Sequence, residues 1–279
     1  MPTFAPMFAT ILALLPIMVC TVLSILTVLS LYDHWDKPRF RLLLFLATAT
    51  LLYLGHFVFF NHLVAYIPVS DTLYCFCNPA VYPLFYIYIE ELTQYHPNRR
   101  QQMLMLLPSV LCFAGVGMLY WLMNGEETAL FIQRHLYNNE FQTLTGLAWW
   151  QAIVHMVVRI VFALQLPLVL VLGFRRITLY NKVVDSNYSN TEGKRIVRLK
   201  TLLALFAITS VVSFLCNILG RSLFDNSTGL LTLPALLFSA LLLCIGHIGL
   251  SQQFHIKDVM GEIMILPEEK EPEEPINAG

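Results

Sequence analysis

Three residues spaced four apart carry the clearest chemical signal in the chain. Gln151, His155 and Arg159 fall on one face of a helix. Arg159 lies 10 residues past Trp149, about 15 Å along a helix at ~1.5 Å per residue. The surrounding run is apolar enough to span a bilayer, and a charge at its centre costs at least ~2.5–3.5 kcal/mol. A stripe of this kind has to face the interior of a bundle or a water-filled cavity. Arg159 offers a fixed positive charge to a carboxylate or other anion, and His155 and Gln151 offer hydrogen bonds.

Other apolar runs place polar groups at the same depth. They are His56, Asn61 and His62; then Asp71, Thr72, Cys75, Cys77, Asn78 and Tyr82; then Asn217 and Arg221. If these faces converge, the outer half of the bundle holds a pocket with donors and aromatic walls. The expected ligand-binding set is Arg159, His155, Gln151, His56, Asn78, Tyr82 and Asn217. Two alternatives stand beside it. One is an internal hydrogen-bond network that fixes helix packing. The other is a metal site built from His56, His62, His155 and Cys77, which needs a convergence that spacing alone does not supply. Neither a catalytic group, a metal ligand nor a cofactor is assigned. Asp71 and Arg221 are expected to snorkel from outer ends, Glu90 and Glu91 to reach water at the inner end, and His247 to be a neutral core histidine. Pro79 and Pro83 predict a kink, with Tyr82, Tyr86 and Tyr88 near the freed carbonyls. The six cysteines sit in apolar runs and read as small buried hydrophobes.

The elements that must position these residues follow from composition. The 279-residue chain is 57% hydrophobic and 13% charged, with a mean hydropathy of +0.65. A soluble domain carries about 25% charge, so a water-facing globule is excluded and a polytopic membrane protein expected. Seven spans are predicted, at 7–31, 42–65, 72–92, 103–123, 149–173, 199–220 and 230–250. The first has no basic flank or small-residue cleavage site and is read as a true helix. Of the 17 Lys and Arg, 14 fall in the segments 32–41, 93–102 and 174–200 and the tail. Only Arg134 and Arg221 fall on the other side. By the positive-inside rule the N-terminus is outside and the C-terminus cytoplasmic, which agrees with an odd helix count. The expected organisation is an all-α, seven-helix bundle over 1–250, a cytoplasmic exit helix over 251–266 and a disordered acidic tail over 267–279. In segment 124–148, TALFIQRHLY reads as a short interfacial helix. The seventh span has no lysine for a retinal-type Schiff base, and no HExxH, GxSxG or Walker A motif occurs. No enzymatic activity is expected.

Several short pieces carry a resemblance. VYPLFYIYIEELTQ at 81–94, the basic turn NRRQQ, LLPSV at 106–110 and HIGLSQQF at 247–254 together resemble the membrane modules of bacterial AraC-type transcriptional regulators. In that family a bundle of about seven helices precedes a cytoplasmic helix-turn-helix domain. The resemblance covers residues 1–260. It implies a sensor in the inner (plasma) membrane that binds a small-molecule or membrane-borne ligand, contacts lipid and forms a homodimer. The 25 residues that follow Phe254 are acidic and would be repelled by phosphate, so no direct nucleic acid contact by this chain is expected. A small transporter or channel, and a membrane metal-dependent hydrolase, are the competing readings.

Overall fold

The computed structural model describes residues 4–94, 97–187 and 228–251, together with positions 204, 207–208, 210–216 and 224. The side chains of 4–9, 228–229 and 251 fall outside that description. Among the described residues the chain is helical, with no strand. The long helices are α1 (Phe4–Asp33), α2 (Lys37–Phe60), α3 (Ile67–Thr93), α4 (Arg99–Leu122), α6 (Gly146–Asn187) and α7 (Thr228–Ser251), with a short α5 (Gly125–Leu130) between α4 and α6. Five of them, α1, α2, α4, α6 and α7, are long and apolar enough to cross a membrane. Their outward faces carry Ile11, Met18, Leu104, Leu111, Leu164, Val171 and Leu233, all exposed. Such continuous apolar surface suits acyl chains and not water. The chain is a helical membrane protein.

These five correspond to the first, second, fourth, fifth and seventh predicted spans. The third predicted span is the 27-residue α3, whose prolines, tyrosines, Asn78 and carboxylates lower its hydropathy. Its position explains the composition: from Cys77 to Thr93 every residue is buried. α3 packs against α2, α4 and α6, while α1 packs against α2 and α7. A central helix meets protein on all sides and has partners for polar groups that lipid would not tolerate. Of the sixth predicted span, 199–220, the described positions 204, 207–208 and 210–216 are helical. The remainder, the exit helix over 251–266 and the tail over 267–279 lie outside the described residues.

Three local features shape the bundle. Pro38 and Pro68 each stand in the first turn of their helix, where the missing N–H costs nothing. Gly55 of α2 lets α3 approach closely, since a Cβ there would lie 3.1 Å from Tyr74 Cβ and 3.4 Å from the Ser70 carbonyl oxygen. Glu127 serves two helix starts. It completes a capping box with Asn124 at α5 and accepts from the backbone N–H of Leu147 in the first turn of α6 at 3.2 Å. Gly146, at φ +60°, sits so near that carboxylate that a Cβ would lie 2.7 Å from it.

Two expectations about the helices change. α6 does not stop at 173 but runs 42 residues to Asn187, about 63 Å, and carries Arg175, Arg176 and Lys182 on its far part. The short helix expected in 124–148 is present as a two-part element: α5 passes into a π-helical segment, Phe131–Tyr137, that turns inward and buries Phe131, Ile132, His135 and Leu136. We call this the cap. α3 continues through Pro79 and Pro83 without interruption. Nearby, the Tyr86 hydroxyl accepts from Arg176 Nε at 3.5 Å, and that of Tyr82 bonds with Ser210 and Ser213.

Candidate functional site

A cavity of ≈ 150 Å³ lies between α1, α2, α3, α6 and α7 beneath the cap. Aromatic and aliphatic side chains form most of its wall, including Phe45, Phe60, Tyr53, Val81, Phe238 and Leu242. Its polar groups are His56, Asn78, Tyr82, His135, His155 and Arg159.

Of the seven residues expected to bind ligand, five line this cavity: Arg159, His155, His56, Asn78 and Tyr82. His56 stacks on Phe60, with ring centroids 5.9 Å apart, and meets the edge of Tyr74 at 5.1 Å. Tyr82 meets Phe162 edge-on at 5.3 Å. Gln151 does not line the cavity. It is wholly buried, and its Nε2 donates to the Val116 carbonyl of α4 at 3.4 Å, so it joins α6 to α4. Asn217 lies outside the described residues. His62 also stays outside the cavity. It follows Asn61, the C-cap of α2, at φ 52° and rests on the ring of Tyr137, 4.8 Å away.

At one side of the cavity α3 and α6 meet through a compact polar cluster. His155 Nδ1 donates to the Gln151 carbonyl oxygen at 2.8 Å. Its Nε2 faces Asp71 Oδ2 at 2.7 Å and Cys75 Sγ at 3.5 Å. The Tyr120 hydroxyl of α4 donates to the same Asp71 oxygen at 3.0 Å. A carbonyl only accepts, so Nδ1 carries a hydrogen. The 2.7 Å approach of Nε2 to a carboxyl oxygen then requires a proton, or another cation, between them. The cap roofs this cluster: the ring of Phe131 lies 5.1 Å from that of His155, and His135 lies 6.4 Å from it.

Asp71 therefore does not snorkel. Its exposure is 2%, and its partners come from α6 and α4. The metal set His56, His62, His155 and Cys77 is not assembled. Among the described residues, the metal-ligating groups that do gather are Asp71, Cys75 and His155, whose ligand atoms lie within 4.8 Å of one another. Asp71 and Cys75 are four apart, then Asn78 and Tyr82 follow on the same face of α3, a spacing visible in the sequence. Tyr120 of α4 and His135 complete the surroundings, and His135 belongs to a segment whose inward fold no spacing rule foretells.

A second polar cluster sits at the opposite end of α3. Glu90 and Glu91 do not reach water, being 0% and 4% exposed. Glu90 accepts from Gln102 Nε2 at 2.8 Å and lies 4.0 Å from Arg176 NH2. Glu91 pairs with Arg99 at 3.2 Å and Arg41 at 3.8 Å. Between the cavity and this cluster, Phe45, Phe85, Phe162, Leu166 and Val169 pack into one apolar layer, with Phe45 and Phe85 centroids 5.3 Å apart.

The fold and the cavity define a helical membrane protein with a mostly apolar cavity, carrying a few polar groups, beneath the cap. Comparison with protein-family models, curated proteins and solved structures finds no match for the chain.

Proposed function

We propose that this chain is the membrane-embedded sensor module of a signal-responsive transcriptional regulator, binding a small ligand with an anionic group in the cavity beneath the cap. The observation that carries the reading is the wall of that cavity, where one guanidinium, Arg159, stands among aromatic and aliphatic side chains. That surface suits a molecule with a carboxylate at one end and an apolar body. The topology proposed with it has seven spans, the N-terminus and cap outside, and the C-terminus cytoplasmic. The charge distribution supports this direction, since the start of α4 and the far part of α6, both away from the cap, carry Arg99, Arg100, Arg175, Arg176 and Lys182. The transcriptional role rests on the resemblance of 81–94, 106–110 and 247–254 to AraC-type membrane modules.

The apolar layer below the cavity favours reception over transport. A carrier needs polar steps through both halves, and the layer of Phe45, Phe85 and Phe162 separates Arg159 from Glu90. To signal, the ligand must bind one arrangement of α3, α6 and the cap better than another. Binding of a medium-chain carboxylate, compared with the neutral alcohol of the same length, tests the reading in detergent-purified protein. The carboxylate is expected to raise the melting temperature, by about 2.7 kcal/mol of stabilisation at a hundredfold excess over Kd. The alcohol is not, and Arg159→Gln should abolish the effect while the helical spectrum is kept. If Arg159→Gln instead lowers the melting temperature and the carboxylate shift persists, Arg159 belongs to an internal packing network and the reading falls.

A further inference from the structure

We propose that Asp71, Cys75 and His155 form a binding site for one divalent transition-metal ion of the zinc type, joining α3 to α6 beneath the cap. The donor set is the first argument. A carboxylate oxygen, a thiolate sulfur and an imidazole nitrogen are the three ligand classes zinc takes. Cys75 is not in a disulfide, so its sulfur is open to a metal. The tautomer is the second argument. Nδ1 donates its hydrogen to the Gln151 carbonyl at 2.8 Å, which aims the lone pair of Nε2 at Asp71 and Cys75. This is how metal-bound histidines are oriented, with the remote nitrogen held by a carbonyl. Tyr120 does the same for the carboxylate, donating to Asp71 Oδ2 at 3.0 Å.

Distance is the third argument. Tetrahedral zinc holds nitrogen and sulfur roughly 3.6 Å apart, and nitrogen and oxygen roughly 3.4 Å apart, given bonds of about 2.0–2.3 Å. Nε2 and Sγ are already 3.5 Å apart. Nε2 and Oδ2, at 2.7 Å, must part by roughly 0.7 Å when the ion replaces the proton between them. Charge is the fourth. A dipositive ion with one thiolate, one carboxylate and one neutral imidazole is neutral overall, which is the form a low-dielectric interior accepts. Binding releases the thiol proton and the proton shared by Nε2 and Asp71 to solvent. Cys75 and His155 both line the cavity, so the fourth coordination position faces it and takes water or a ligand atom. The proposal does not depend on Arg159 or on the anionic ligand.

The test uses the full chain with any histidine tag removed, in detergent, titrated with Zn²⁺ alone and with Co²⁺ alone. The expected result is one zinc per chain at micromolar free metal or below, and an intense thiolate-to-cobalt absorption band. Cys75→Ser should remove the band and His155→Gln should weaken zinc binding by more than 100-fold. Tyr120→Phe, which touches only the outer shell, should weaken it about 10-fold. Zinc binding that is equal in the unaltered chain and in the Asp71→Asn/Cys75→Ser/His155→Gln variant overturns the proposal. So does cobalt bound without the thiolate band in the unaltered chain, an observation that requires no variant to fold.

Discussion

At the scale of single residues, the Asp71–His155 contact dominates. Both groups are buried, and each supplies what the other lacks. Removing one partner leaves a desolvated polar group, which costs about 3–5 kcal/mol, whereas replacing both with apolar residues of similar size is often neutral. Asp71→Leu and His155→Leu are therefore each expected to lower stability by about 3 kcal/mol in metal-free protein, and the double variant to be more stable than either single. Thermal unfolding of the three proteins in one detergent checks this; strictly additive losses would rule out the coupling. Much of the cavity was legible in the sequence, because polar residues at helical spacing inside apolar runs must converge on something. His56, Asn78, Tyr82, His155 and Arg159 do so. Asp71 was misread because it immediately precedes the predicted span at 72–92, so it looked like an end residue, whereas α3 begins four positions earlier at Ile67. Its burial depends on Tyr120 and His155, which are 49 and 84 positions away, and local pattern carries no information about such partners.

At the scale of elements, the close contact between α2 and α3 rests on Gly55. A side chain there meets Tyr74 Cβ at 3.1 Å, and both backbones are held by further packing. Gly55→Val should destabilise the bundle by about 1–3 kcal/mol, and Gly55→Ala by less, as read from melting temperatures. Equal stability of Gly55→Val and the unaltered chain would mean that the two helices slide apart freely. Hydropathy found the helices that face lipid, since their composition is set by acyl chains. It placed the end of α6 too early, at 173, because the basic residues beyond it look like a loop. A helix continues through charged residues whenever they are good helix formers in water, and hydropathy records only where lipid stops. It found α3 as well, at 72–92, but started it five residues after Ile67, since a helix surrounded by protein need not be apolar along its whole length.

At the scale of the whole molecule, the two polar clusters occupy opposite ends of α3 with an apolar layer between them. The cluster at Glu90 ties α3 to α4 and α6, and through Glu91 to α2. In the proposed orientation it faces the cytoplasm. Alkaline phosphatase fused within 138–145 is expected to be active, and fused at 97–98 inactive; the reverse pattern would invert the topology. The charge count that sets this direction is plain in the sequence, but the apolar layer is not, because Phe45, Phe85 and Phe162 come from α2, α3 and α6 and meet only in the folded bundle.

The unbroken length of α6 has a mechanical consequence. His155 and Arg159 touch the cavity, and Asn187 ends the same helix. Pro167, inside it, lacks the N–H that would hold the Ala163 carbonyl and is the natural pivot. From Pro167 to Asn187 the helix extends about 30 Å, so a swing of about 10° there displaces its far end by roughly 5 Å. α6 is thus a lever with its short arm in the cavity. A shift of about 3 Å beside His155, roughly 18 Å from that pivot, would become a stroke of about 5 Å at Asn187, large enough to make or break a protein contact.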